Sequence, residues 1–84
     1  MVSITEIKKC GFKPTNYTDG LRYEKNIKDG KVFITLLNQE IGWISIKKHE
    51  VMTDFLPVRI TEVFNGTPPN GDALKLILRW TGIA

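Results

Sequence analysis

The sequence predicts an α+β domain: a four-stranded antiparallel meander with a helix at each end, in the order α-β-β-β-β-α. Three observations predict it. Ser3-Ile4-Thr5-Glu6 spells a helix-opening capping box. Between residues 21 and 64, runs rich in β-branched and aromatic residues are separated by short polar turns. Near the end, Asp72 precedes a Leu-rich segment that stops at Gly82.

In the capping box the Ser3 hydroxyl accepts from the Glu6 amide, and the Glu6 carboxylate reaches back to the Ser3 amide. Ile4 and Ile7 share one face, and Lys8 and Lys9 in the last turn suit the helix dipole. Gly11 stands where a left-handed residue ends a helix, and Phe12 is placed to fold back on the apolar face. A helix over about residues 4–10 follows. Lys13 to Gly20, with Pro14, Asn16 and Asp19, reads as a loop.

Leu21 to Ile27 alternates, with Leu21, Tyr23 and Ile27 on one side and Arg22, Glu24 and Asn26 on the other, as a half-buried strand does. Asp29-Gly30 is a hairpin signal. Lys31–Leu37 is the return strand, Asn38-Gln39-Glu40 a second turn and Ile41–Lys47 a third strand. Lys48 to Leu56 reads as a loop with a short helical turn. Pro57 cannot donate to a ladder and should precede a fourth strand, Val58–Phe64.

Asn65 to Gly71 is a loop. Residues 73–80 carry two patterns. Leu74, Leu76, Leu78 and Trp80 alternate as in a strand, while Ala73, Leu76, Ile77 and Trp80 form a helical stripe. Helix is favoured by the propensities of Ala, Leu, Lys and Arg, by a capping Asp72 and by the stop at Gly82.

With 84 residues the chain makes one domain, residues 1–84, and hydrophobic residues at 42% suit a single core. Cys10 is the sole cysteine, so no disulfide forms within the chain. The first residues lack the basic and apolar regions of a secretory signal, and no apolar run approaches the ~20 residues that span a bilayer. The expected location is the cytoplasm, with no membrane contact. Twelve Lys and Arg against nine Asp and Glu give a net charge of +3, compatible with an acidic partner.

Catalytic chemistry finds little to work with. His49 is the only histidine and lies in the polar stretch Lys47-Lys48-His49-Glu50, so it reads as a solvated side chain. Ser3 and Ser45 are the only serines, and neither is in a nucleophile motif. One His and one Cys cannot build a structural zinc site, and Asp29 and Asp72 read as a turn former and a helix cap. The glycines spell no phosphate loop. The expectation is a protein that is not an enzyme and carries no cofactor and no metal.

Two binding surfaces remain. Lys25, Lys28 and Lys31 flank the first hairpin and are candidates for nucleic-acid contact, though Glu24 and Asp29 sit among them. The central strands are apolar on both sides: Val32, Ile34, Leu36, Ile44 and Ile46 would form the core under the helices. Phe33, Leu37, Ile41 and Trp43 would share the other face, with Leu37 close to opposite Ile41. Either one helix per face and the loops cover both sides, or the second face stays open for a protein partner or a second copy in a homodimer.

Ile4-Thr5-Glu6-Ile7-Lys8-Lys9-Cys10-Gly11-Phe12, Leu21-Arg22-Tyr23-Glu24-Lys25 and Leu74-Lys75-Leu76-Ile77-Leu78-Arg79-Trp80-Thr81-Gly82-Ile83 resemble segments of small accessory proteins of bacteriophages and prophages. What the resemblance implies is a class: compact, non-enzymatic proteins that act by binding in the host cytoplasm, including inhibitors of host defence such as anti-CRISPR proteins.

Overall fold

A computed structural model of the protein describes residues 1–18, 20–28, 30–51 and 58–83, with Val58 described by its backbone alone. The elements are α1 (Ile4–Lys9), β1 (Lys13–Tyr17), β2 (Gly20–Ile27), β3 (Gly30–Asn38), β4 (Trp43–Val51), β5 (Val58–Gly66) and α2 (Gly71–Trp80). The strands form one antiparallel meander in the order β1-β2-β3-β4-β5. The sheet thus has five strands and not the expected four.

The extra strand is β1, read from sequence as loop. Its side chains are polar or exposed apart from half-buried Thr15 and Tyr17, so hydrophobic patterning hardly marks it. Pairing with β2 makes it a strand, Pro14 lying opposite Tyr23 and Tyr17 opposite Gly20. Pro14 is tolerated because an edge strand has a partner on one side only.

The capping box at Ser3 forms, each group at 3.2 Å from its partner. Gly11 takes φ 91° beyond the C-cap Cys10, and its amide donates to the Lys8 carbonyl. Phe12 turns into the core.

Asp29 of the expected Asp29-Gly30 turn lies outside the described residues. Gly30 pairs with Ile27 and opens β3. A Cβ at Gly30 would stand 1.9 Å from the His49 carbonyl oxygen, so close packing of β3 on β4 requires glycine there.

The next turn lies later than the sequence suggests. Ile41 falls within it, and β4 begins at Trp43. The Asn38 side chain accepts from the Glu40 amide at 3.0 Å, an Asx-type contact that lengthens the turn. β4 then runs through Lys48, His49 and Glu50 to Val51, a stretch read as loop because its polar residues erase the alternation. Pairing on both sides holds it: His49 lies opposite Lys31 and Ile60, and Glu50 opposite Gly30 and Arg59. The remainder of the expected Lys48–Leu56 loop with its helical turn, residues 52–56, and Pro57 lie outside the described residues.

Opposite Ile46 and Lys47, β5 carries a bulge. Ile46 pairs with Phe64, Lys47 pairs with Glu62, and Val63 is the extra residue. Unbulged, Glu62 and Phe64 would share a face. Instead Phe64 packs on the core while Glu62 faces away from it.

Residues 73–80 are helical, but the cap and the buried face both differ from expectation. Asn70 and not Asp72 is the N-cap, its side chain accepting from the Ala73 amide at 2.9 Å. Leu74 and Leu78 are fully buried with Gly71, while Leu76 and Trp80 of the expected stripe are exposed. Its apolar residues form a broad face opposite Asp72, Lys75 and Arg79, and the edge of that face at Leu74 and Leu78 is the part buried. At the C-terminus Gly82 (φ 75°) donates to the Arg79 carbonyl and Ile83 to the Leu78 carbonyl, a Schellman arrangement, and Ile83 is buried.

Both helices lie on one face of the sheet. Ile7 of α1 and Leu74 and Leu78 of α2 share a core with Tyr23, Val32, Ile34, Ile44 and Ile46, joined by Phe12 and Ile83. Each such side chain contributes roughly 1.5–3 kcal/mol on burial. Two lysines from this inner face reach the helix C-termini, where unsatisfied carbonyls and the dipole favour a cation. Lys25 Nζ donates to the Cys10 carbonyl at 3.1 Å, and Lys48 Nζ to the Thr81 carbonyl at 3.2 Å.

Candidate binding face

Among the described residues no helix packs on the opposite, outer face. Alternation along the strands places Tyr17 on it from β1, Arg22 and Glu24 from β2, and Lys31, Phe33 and Thr35 from β3. β4 supplies Trp43, Ser45, Lys47 and His49, and β5 supplies Ile60, Glu62 and Asn65. A groove of about 390 Å³ runs across the middle, lined by Arg22, Phe33, Leu37, Ser45, Lys47, His49, Ile60, Glu62 and Asn65, among others.

One end is an aromatic and cationic cluster. Phe33 is 6% exposed, yet it belongs to no helix contact. The Tyr17 ring meets it edge-on at 5.5 Å and the His49 ring at 4.5 Å. The Arg22 guanidinium lies over both rings, 4.8 Å from Tyr17 and 5.6 Å from Phe33. Tyr17 in turn donates its hydroxyl to Glu24 Oε2 at 2.9 Å, and Lys31 stands 3.6 Å from the same carboxylate. The Tyr17 hydrogen bond, more than Lys31, holds Glu24 below the usual carboxylate range. Partial burial, then the charges of Arg22 and Lys47, push His49 below its ordinary value and favour the neutral ring.

The other end is polar with apolar edges. Trp43 Nε1 donates to Asn65 Oδ1 at 2.6 Å, fixing the indole across to β5. Buried Ser45 donates its hydroxyl to Glu62 Oε2 at 2.9 Å. Leu37, Trp43 and Ile60 keep 46%, 40% and 60% of their surface in solvent.

The residues expected to bind a partner are therefore only partly united. Phe33, Leu37 and Trp43 share the outer face, but Phe33 and Trp43 occupy opposite ends of it. Ile41 is exposed in the turn and does not stand opposite Leu37, because a bulge pairs Leu36 with Ile44 and Asn38 with Trp43. Lys25, Lys28 and Lys31 do not converge. Lys25 points inward to Cys10, Lys31 lies outward beside Glu24, and Lys28 is exposed in the turn.

Sequence reasoning missed Tyr17, Arg22, Lys47 and His49. The signal available was register: once β4 extends past Lys47, His49 and Lys47 fall on the Phe33 face.

Ser45 and His49 are four residues apart on one strand, about 13 Å at strand rise, and Ser45 is paired with Glu62. Cys10 lies at the end of α1 on the inner side, and burial raises its thiol pKa. Among the described residues no three His, Cys, Asp or Glu side chains cluster to hold a metal ion, and no helix is long and apolar enough to cross a membrane. Compared with family models, curated proteins and solved structures, the chain finds no match.

Proposed function

We propose that the protein is a small non-enzymatic binding module that occludes a surface of a protein partner with the outer face of its sheet. The observation that carries this reading is the asymmetry of the sheet: α1 and α2 pack on one face, and the other presents a groove lined by exposed Leu37 and Ile60, with exposed Trp43 hydrogen-bonded to Asn65 of its lining. Monomeric proteins seldom leave such apolar side chains grouped without use. An aromatic anchored at the edge of a groove, as Trp43 is by Asn65, is the kind of residue on which binding energy concentrates. Small accessory proteins of phage type, which the sequence resembles, act in this manner.

The test is a comparison of faces with the full chain as bait in a lysate of the host. Trp43→Ala and Ile60→Ser weaken capture of the specific partner at least about tenfold, the scale of a hot-spot loss, and leave the fold intact by circular dichroism. Trp80→Ala on exposed α2 leaves capture unchanged. Loss with Trp80→Ala and retention with the other two would move the contact surface to the helices.

A further inference from the structure

We propose that α2, on the side of the sheet away from the groove, is the contact surface for a second copy of this chain, packed antiparallel on it about a two-fold axis. The helical stripe Ala73, Leu76, Ile77 and Trp80 carries the inference. Gly71, Leu74 and Leu78 are buried toward the sheet, and Ile77 reaches the rim of the core. Leu76 and Trp80 stay 44% and 79% exposed, Trp80 the most of any large apolar side chain among the described residues. The stripe is complementary to itself. A two-fold axis passing between Leu76 and Ile77 lays each Leu76 beside the Ile77 of the second copy, and each Trp80 over its Ala73. The largest side chain of the stripe thus meets the smallest, twice.

The charges beside the stripe follow the same symmetry. Asp72 in the first turn and Arg79 in the last lie on one flank of it, seven residues apart and so nearly in line. Both are exposed, and neither makes an ion pair among the described residues. The two-fold axis keeps that flank on the same side in both copies and reverses its direction, so each Asp72 comes within reach of the Arg79 of the other copy. Parallel packing would instead oppose Asp72 to Asp72 and Arg79 to Arg79. Lys75, the remaining charge of α2, stands nearly opposite the stripe. It lines the cleft toward α1 with Lys9, Glu6 and Asp72, where the two signs balance. A lipid surface would meet Asp72 beside the stripe, where helices that lie on membranes carry Lys and Arg. The ten residues of α2 span about 15 Å at helical rise. A contact of that length falls below the ~1,200 Å² of a stable interface, so the dimer is weak and exchanges with monomer.

The experiment is sedimentation of the full chain from low micromolar to millimolar concentration, with the fold of each variant checked by circular dichroism. The wild type is expected to pass from monomer to dimer across that range. Trp80→Ala weakens association at least about tenfold, and Trp43→Ala on the outer face leaves it unchanged. Asp72→Arg and Arg79→Asp each weaken it too. The two charge variants mixed in equal amounts associate more tightly than either alone, because each supplies at both contacts the sign the other lacks. A chain that stays monomeric at millimolar concentration would overturn the proposal. Association that survives Trp80→Ala and is lost with Trp43→Ala would overturn it by placing the second copy on the outer face. Charge variants that associate no better mixed than alone would overturn the antiparallel arrangement. Binding of the monomer to vesicles of phosphatidylcholine and phosphatidylglycerol, lost with Trp80→Ala, would overturn it in favour of a lipid surface.

Discussion

The two faces of this sheet are made by the same strands and end up with opposite roles. On the inner face Val32, Ile34, Ile44 and Ile46 alternate without interruption and are sealed by Ile7, Leu74 and Leu78. Its two lysines are spent on the carbonyl ends of the helices. Among the described residues of the outer face Phe33 alone of the large apolar side chains is buried, and Tyr17, Arg22 and His49 cover it. Stability thus resides on one side, and the other is left to rings, cations and exposed Leu37, Trp43 and Ile60. In a small domain, where a total margin of only ~5 kcal/mol is typical, such a division lets the outer face change with little effect on folding.

Substitutions sharpen that comparison, the largest effect coming from the inner side. Ile34→Ala removes a fully buried side chain and should cost ~2–5 kcal/mol in urea unfolding, enough to leave the domain largely unfolded near its margin. Gly30→Ala comes next. Its methyl would meet the His49 backbone at 1.9 Å, and since strand backbone yields poorly the cost should be ~1–3 kcal/mol by the same measurement. Gly71→Ala is a milder version of the same clash. The methyl would meet Glu6 Oε2 at 2.0 Å, but that carboxylate can swing away by giving up the capping box, at ~0.5–2 kcal/mol. Trp43→Ala, on the outer face, should cost less than any of these at equal denaturant, because the indole is 40% exposed and held by one hydrogen bond. A core-sized loss at Trp43 would break the comparison.

The smallest effect is one of pH. The fold holds His49 below its ordinary value of 6.5, through burial first and then Arg22 and Lys47. The unfolded chain therefore takes up the proton first as pH falls. The contribution of His49 is fully present above pH 6.5 and is lost as pH falls through the lower folded value. Unfolding curves at pH 7.5 and 5.5 should show the wild type weakening more than His49→Gln. An equal slope for both would mean that the cluster around Phe33 does not constrain the ring.

What was legible in the sequence follows the same division. The inner face was: β-branched alternation over Val32–Leu36 and Ile44–Ile46 identifies the core side of β3 and β4, and Ser3 with Glu6 identifies the start of α1. The outer face was legible only in outline. Phe33, Leu37 and Trp43 could be placed on it by alternation, but their partners come from segments with no hydrophobic pattern. Tyr17 belongs to a polar edge strand that exists because β2 pairs with it, and His49 lies in a stretch that is a strand because two neighbours hold it. Two bulges shift the rest, sending Phe64 inward beside outward Glu62 and separating Leu37 from Ile41. For α2 the helix was readable and its rotation was not, since Leu74, Leu76, Ile77, Leu78 and Trp80 offer more than one apolar stripe.

The central claim is that the outer face is open in the free protein, and methyl relaxation with a soluble, uncharged gadolinium chelate tests it most directly. At a concentration where sedimentation shows a monomer, the methyl signals of Leu37 and Ile60 should broaden strongly, while those of Ile34, Ile44 and Ile46 stay sharp. If Leu37 and Ile60 are protected to the same degree as Ile44 and Ile46, both faces are covered in the free chain, and the outer face is not the contact surface.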